Sequence, residues 1–330
     1  MTYLLWRLTA RNLKVFFKEK ANVFFALLAP LIVLALYVLF LGRIQIDGIL
    51  ASLGDGATAE AEAAVQSFCN SWMLAGALSC ACITVPLCAC GVMVTDKTRG
   101  ITSDFLASPV PRWAPAASYF ISVVLAGLAI GGAVLGICFV WLAVSGSWYL
   151  SAADVFGCIG TVILSVLSSS AFLTFIIGFI RTQGAFMGVN VIFGTVIGFL
   201  IGAYMPIGYF PLGVQYFTLF IPGSWSAGMF RNFIMRGALE EVARATSQPF
   251  ADALGGEFSM TLNGFGTELG LPVMAAVLAG SVVLFAALAL LAARLKKRRS
   301  ARAGTIEQHA GTREQHAGKK EKKEKEGTEK

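Results

Sequence analysis

Charge is what this sequence has least of. Only 14% of its 330 residues are Asp, Glu, Lys or Arg, against roughly 25% in ordinary globular chains. That shortage excludes a water-soluble enzyme, a disordered regulator and a nucleic-acid binder that folds in water. Histidine is nearly absent too: the two present, His309 and His316, lie near the C-terminal end, so no His-based catalytic or metal cluster can be built. The phosphate-loop pattern GxxxxGK[ST] is missing, as are HExxH and GxSxG. The chain is therefore expected not to hydrolyse ATP itself and not to be an enzyme. Seven cysteines occur, six of them in apolar stretches (Cys80, Cys82, Cys88, Cys90, Cys138 and Cys158) and Cys69 at a segment edge. That placement reads as small buried apolar residues and not as a disulfide framework or a metal site.

What the sequence has instead is length of apolar run. Six stretches hold no charged residue and no histidine: Ala21–Leu41, Ser71–Thr95, Ala116–Val144, Val155–Ile180, Gly184–Tyr204 and Leu269–Ala293. The shortest, at 1.5 Å per residue, reaches roughly 31 Å and covers the hydrocarbon core of a bilayer. The expected fold is an all-α membrane protein with six transmembrane helices over residues 21–293.

The net charge of +7 is all in one place. Residues 1–293 hold 13 basic and 13 acidic side chains; residues 294–330 hold 13 basic and 6 acidic. This last segment, low in complexity, reads as a disordered basic tail whose Lys296-Lys297-Arg298-Arg299 start sits against anionic membrane lipids. Across the bundle, the basic residues divide 22 to 4 between the two sides. The positive-inside rule then places both termini in the cytoplasm of a multi-pass plasma-membrane protein.

Three segments between the runs carry information. Residues 1–20 place Arg7, Arg11, Lys14 and Lys18 within about 60° of a helical wheel, with Leu, Trp and Phe on the remaining sides. Such a helix lies in the membrane interface. The loop 96–113 carries Asp96, Lys97, Arg99, Asp104 and Arg112 around apolar Phe105 and Leu106. Thr102 or Ser103 is expected to cap a short helix that Pro109 and Pro111 stop. A minimal turn needs fewer residues, so a docking surface is expected. Residues 205–268 begin with an apolar stretch too short to span, punctuated by Pro206, Pro211 and Pro222 and continued by Trp225, Phe230 and Arg231. Two short helices there are expected to form a re-entrant hairpin on the outer side, with residues 237–267 outside. Gly42–Asn70 is expected to be an acidic loop with at most a short helix. Glycines four apart, Gly127/Gly131, Gly132/Gly136, Gly184/Gly188 and Gly194/Gly198/Gly202, predict that the third and fifth spans are interior. Thr161, Ser165, Ser168, Ser169, Ser170 and Thr174 on the fourth span either line a mildly polar path or bond back to their own helix.

The order of these features resembles the permease subunit of type-2 ABC exporters, the family of drug, antibiotic and polysaccharide export permeases. The matching stretches are Arg7-Leu8-Thr9-Ala10-Arg11-Asn12-Leu13 running into Ala29-Pro30-Leu31, the segment from Asp96-Lys97-Thr98-Arg99-Gly100 to Ser108-Pro109-Val110-Pro111-Arg112, and Met205-Pro206 through Phe210-Pro211, Ile221-Pro222, Trp225 and Phe230-Arg231. The resemblance implies that residues 1–20 are a connecting helix, that 96–113 holds a coupling helix, and that Tyr209–Arg236 closes the exit. It implies a separate ATP-binding subunit holding ATP and Mg2+, a second permease subunit as homo- or heterodimer, and surrounding lipid. Without charge in its spans, the path would suit an amphipathic drug, a lipid-like molecule or a peptide better than an ion.

Two other readings stay open on the sequence. A membrane-embedded lipid-modifying enzyme would need paired carboxylates or histidine at the interface, and its inner candidates, Asp96 and Asp104, have no evident partners. A non-transporting membrane assembly protein is the other.

Overall fold

The computed structural model describes residues 2–54, 58–111, 113–264, 267–289 and 291. Arg112 and the basic tail from 294 onward lie outside the described residues. The chain divides into two compact units, Met1–Val283 and Leu284–Lys330. In the second, the described residues are helical.

Helix α1 (Thr2–Lys18) buries Thr9, Asn12 and Phe16, one face at spacings of three and four, and leaves Arg7, Lys14 and Lys18 exposed. The backbone leaves helical geometry at Glu19, and α2 (Lys20–Leu53) begins at once. It carries Pro30 and, over Tyr37–Leu41, a π-helical turn. After Leu53 a short link leads to α3 (Ala59–Thr98), which Thr58 caps by accepting a 3.2 Å hydrogen bond from the Ala61 amide. Then follow α4 (Ile101–Ala107), α5 (Ala114–Val144), α6 (Ala152–Ile177) and α7 (Gln183–Leu200). A short α8 (Leu212–Thr218) precedes α9 (Pro222–Ala245) and α10 (Gln248–Glu257). Strands β1 (Leu262–Gly264) and β2 (Thr267–Leu269) pair antiparallel before α11 (Leu271–Ala289). Six helices, α2, α3, α5, α6, α7 and α11, are long and apolar enough to cross a membrane. The protein is an all-α membrane protein in which the small β hairpin is an appendage.

Three expectations are corrected. Residues 42–70 are not an acidic loop: α2 continues to Leu53 and α3 starts at Ala59. The helical periodicity of Ile46, Ile49 and Leu50 supplies an apolar face that joins the core. Glu60 and Glu62 sit in the first turn of α3, where the helix dipole favours negative charge.

The interior helix is α3, buried along its whole apolar length, while α5 is about half buried and α7 mostly exposed. The glycine spacing misplaced the centre. Gly127 and Gly131 do sit against α6, on Val166 and Val162, yet a side chain at Gly132, Gly136, Gly184, Gly188 or Gly194 would meet open space. What places α3 at the centre is its run of Ala, Gly, Ser and Cys, whose small side chains let α2, α5, α6 and α9 approach from every side.

The second half of the expected hairpin is not short either. α9 runs 24 residues to Ala245, and Gly237–Thr267 contains the end of α9, the whole of α10 and β1. Gly237 on α9 is pressed against α5–α6 connecting backbone: a Cβ there would run into the Tyr149 carbonyl oxygen. Gly237→Ala is expected to cost about 1–3 kcal/mol, as overpacking does, read as a lowered unfolding temperature in one fixed detergent. Unchanged stability would mean that the contact yields.

The hydroxyls of α6 divide between their own helix and its neighbours. Thr161 bonds back to the Gly157 carbonyl at 2.8 Å, and Ser168 pairs with Ser281 of α11 at 2.6 Å. All seven cysteines are buried and free.

Candidate functional site

A carboxylate at the edge of a long apolar run must find a cation or lose its charge. Asp96, near the end of α3, is such a group, and it is nearly fully buried. It is met by Arg11 of α1. The guanidinium bonds in fork fashion: Arg11 Nη2 lies 2.9 Å from Asp96 Oδ1, and Nη1 donates to Oδ2. Tyr119 of α5 donates its hydroxyl to Oδ2 at 2.6 Å. The pairing holds the Arg11 guanidinium above its usual range, chiefly through the Asp96 hydrogen bond. Arg11 also donates to Asn12 Oδ1 at 3.1 Å, Asn12 donates to Ser118 Oγ at 3.2 Å, and Ser118 donates to the Pro115 carbonyl at 2.8 Å. Three helices are thus pinned at one end of the bundle by a polar chain in which each named donor has an acceptor.

Lys97 adds a fourth. Its ammonium reaches the Gly178 carbonyl at 2.8 Å and that of Ile180 at 3.3 Å. These carbonyls close the C-terminal end of α6, where orphan acceptors and the dipole both favour a cation. The last turn of α3 therefore grips α1, α5 and α6 together.

From this grip the chain turns sharply. Gly100 has φ +80°, a left-handed conformation that a side chain disfavours. It also stands at the N-cap position of α4, which has no side-chain cap. The expected Thr102 or Ser103 cap is thus replaced by a glycine turn, and Thr102 and Ser103 lie within the helix. Asp104 sits in the first turn of α4 and is exposed, Arg99 is exposed, and Phe105 is half-buried. Ser108 donates to the Phe105 carbonyl at 2.9 Å, and Pro109 and Pro111 follow. Leu106 belongs to α4. The result is a seven-residue helix standing on a braced root.

The opposite end of the bundle is organised around α9. Its first half, Pro222 to Arg231, is buried on all sides. Trp225 donates its indole N–H to the Leu219 carbonyl at 2.8 Å, closing the α8–α9 turn. Pro206 is buried and Pro211 exposed in the link that precedes α8. Arg231, expected on an outer hairpin, is fully buried. Its Nη2 donates to the carbonyls of Ile201 and Gly202 at 2.9 and 2.6 Å, so it caps the end of α7. Its Nε and Nη1 have no hydrogen-bond partner among the described residues.

The sequence singled out Arg11, Asp96 and Lys97 without pairing them. Asp96, read there as partnerless, uses both oxygens on Arg11 and Tyr119. Asn12, Ser118 and Tyr119 were missed. The available signal was physical: a buried carboxylate beside an interfacial basic stripe implies an ion pair. No group of His, Cys, Asp and Glu among the described residues could hold a metal ion. The residues at the base of this small helix are bonded to α1, α5 and α6.

Residues 3–235 match the family model described as ABC-2 type transporter. This range runs from α1 through the first five spans to the middle of α9. No curated protein matches the chain.

Proposed function

Because the chain belongs to the ABC-2 type transporter family, and is a membrane permease of an ABC transporter, we propose that it is the permease subunit of an ATP-driven exporter. A separate subunit binds ATP and Mg2+ and hydrolyses the nucleotide. It docks on α4 and its flanks, through Asp96–Arg112. The observation that carries this reading is the braced root: Arg11, Tyr119 and the end of α6 all meet the residues just before α4. A helix that merely turned the chain would need no such bracing; one that passes a push from a partner to three helices at once does. α1 then lies along the cytoplasmic membrane surface as the connecting helix, and both termini are cytoplasmic.

A second permease copy, identical or related, completes the path. The exposed apolar side chains of α7, among them Met187, Val191, Ile192 and Val196, support that reading. So do the open Gly184, Gly188 and Gly194 on the same helix. Small residues let a partner helix come close where lipid would otherwise lie. Cargo is an amphipathic or hydrophobic molecule (drug, antibiotic, lipid-like compound or peptide), since the spans offer a mobile ion no charge. α8 and the first half of α9 close the exit as a re-entrant pair, with Arg231 fastening them to the end of α7.

Two measurements test the scheme. The chain is expected to co-purify with an ATP-binding subunit, with ATP hydrolysis only in the complex; turnover by the chain alone would refute it. Impermeant labels added to intact cells should leave cysteines placed at either terminus unmodified, and labelling of either would invert the arrangement.

A further inference from the structure

At the end of the bundle opposite α4, a cavity of about 440 Å³ opens between the last turns of α2, the link after α7, and α10. It falls within the roughly 300–1,000 Å³ typical of small-molecule sites. Its walls are apolar: Leu41 and Ile44 from α2, Met205 from the link, and Phe250, Leu254 and Phe258 at α10. Neither Lys, Arg nor His lines it, and the one charged residue is Glu257.

The charged group facing the cavity is a carboxylate, which accepts. Glu257 Oε1 already accepts the Tyr209 hydroxyl, whose proton is held there with the phenol pushed up to about 12 by that hydrogen bond. Oε2 remains open. Ser52 spends its proton on the Ile49 carbonyl at 2.6 Å, leaving its oxygen to accept. The donors left are the Gln45 amide nitrogen and the Tyr204 hydroxyl. A negative rim with unmet acceptors over apolar walls selects for a cation that carries N–H donors and an apolar body.

We infer that this cavity is a binding site for an amphipathic primary amine, its ammonium on Glu257 and its apolar part between α2 and α10. The site requires neither ATP nor a partner, so it stands independently of the export reading.

Gly48 provides the blocking variant. It lines the cavity, and a Cβ there would meet nothing within 4 Å. A larger side chain therefore starts towards the cavity with no clash at its Cβ. The experiment uses the purified full-length chain and a photoreactive benzophenone carrying a butylamine arm, with the matching carboxylic acid as control. Labelled peptides are mapped by mass spectrometry. The amine should label peptides of residues 41–52, 204–209 or 250–258, and the acid should not. Gly48→Leu and Glu257→Gln should each reduce that labelling about tenfold, the loss expected for a charge-assisted contact or a filled pocket. Both should keep the wild-type unfolding temperature, and Glu257→Asp should recover part of the labelling. Equal labelling by amine and acid would overturn the selectivity. Labelling elsewhere, or labelling unaffected by Gly48→Leu, would overturn the site.

Discussion

Phe105→Asp is expected to leave the protein inserted and folded while reducing substrate-stimulated ATP hydrolysis by the assembled transporter to its basal rate. Phe105 is half-buried on a helix of seven residues, between an exposed Asp104 and the proline stop. An apolar anchor in such a place gains by entering a dry pocket on a partner. A carboxylate put there must be desolvated, at a cost of roughly 2–7 kcal/mol if it goes unpaired, and more if it stays charged. Since 1.4 kcal/mol is a factor of ten in affinity, even the low end uncouples docking. Leu106→Asp, one residue on, is expected to act in the same direction. The readouts are ATP hydrolysis with and without substrate and the yield of folded permease. Stimulated hydrolysis at the wild-type rate from both variants would reduce α4 to a turn.

Asp96→Ala should be the most damaging single change at the root of α4. It strands the Arg11 guanidinium and leaves the Tyr119 hydroxyl without its acceptor. Breaking one side of a fully buried pair costs about 3–5 kcal/mol. Arg11 is about one-third exposed, so water recovers part of its solvation and about 2–3 kcal/mol is the better figure. Thermal unfolding in a fixed lipid or detergent environment reads the loss directly. The double variant Arg11→Ala with Asp96→Ala should be less than the sum of the two single losses, because the stranded charge is gone. Additive losses would mean that the two residues do not act as a pair. Tyr119→Phe removes one hydrogen bond to a charged group and should cost about 1.5–3 kcal/mol. If α4 transmits force, Asp96→Ala should also weaken coupling in protein that still folds.

Much of the polypeptide's plan was legible without coordinates. Each apolar run became a spanning helix, and the basic stripe of Arg7, Arg11, Lys14 and Lys18 did lie on one helix. The readings that failed share a cause. Thr102 and Ser103 were natural caps by residue type, but Gly100, with its positive φ, turned the chain two residues earlier. Residues 42–53 looked like loop because Arg43, Asp47 and the acidic residues beyond dominate a composition count. Their apolar neighbours at helical spacing found α3 to pack on. Arg231 was read as part of an outer hairpin, since nothing nearby in sequence announces the carbonyls of Ile201 and Gly202 that receive it.

Composition and motif order were enough to put this chain in a bilayer, to count its crossing helices and to mark its family. Hydropathy is a local sum: each run of about twenty apolar residues settles its own solvent. It took the packed helices to show that α3 is central, that Asp96 belongs to Arg11 across 85 positions of chain, and that Arg231 caps α7 from inside. Burial and pairing depend on which distant surfaces meet, and that choice is made by the packing of all the helices at once.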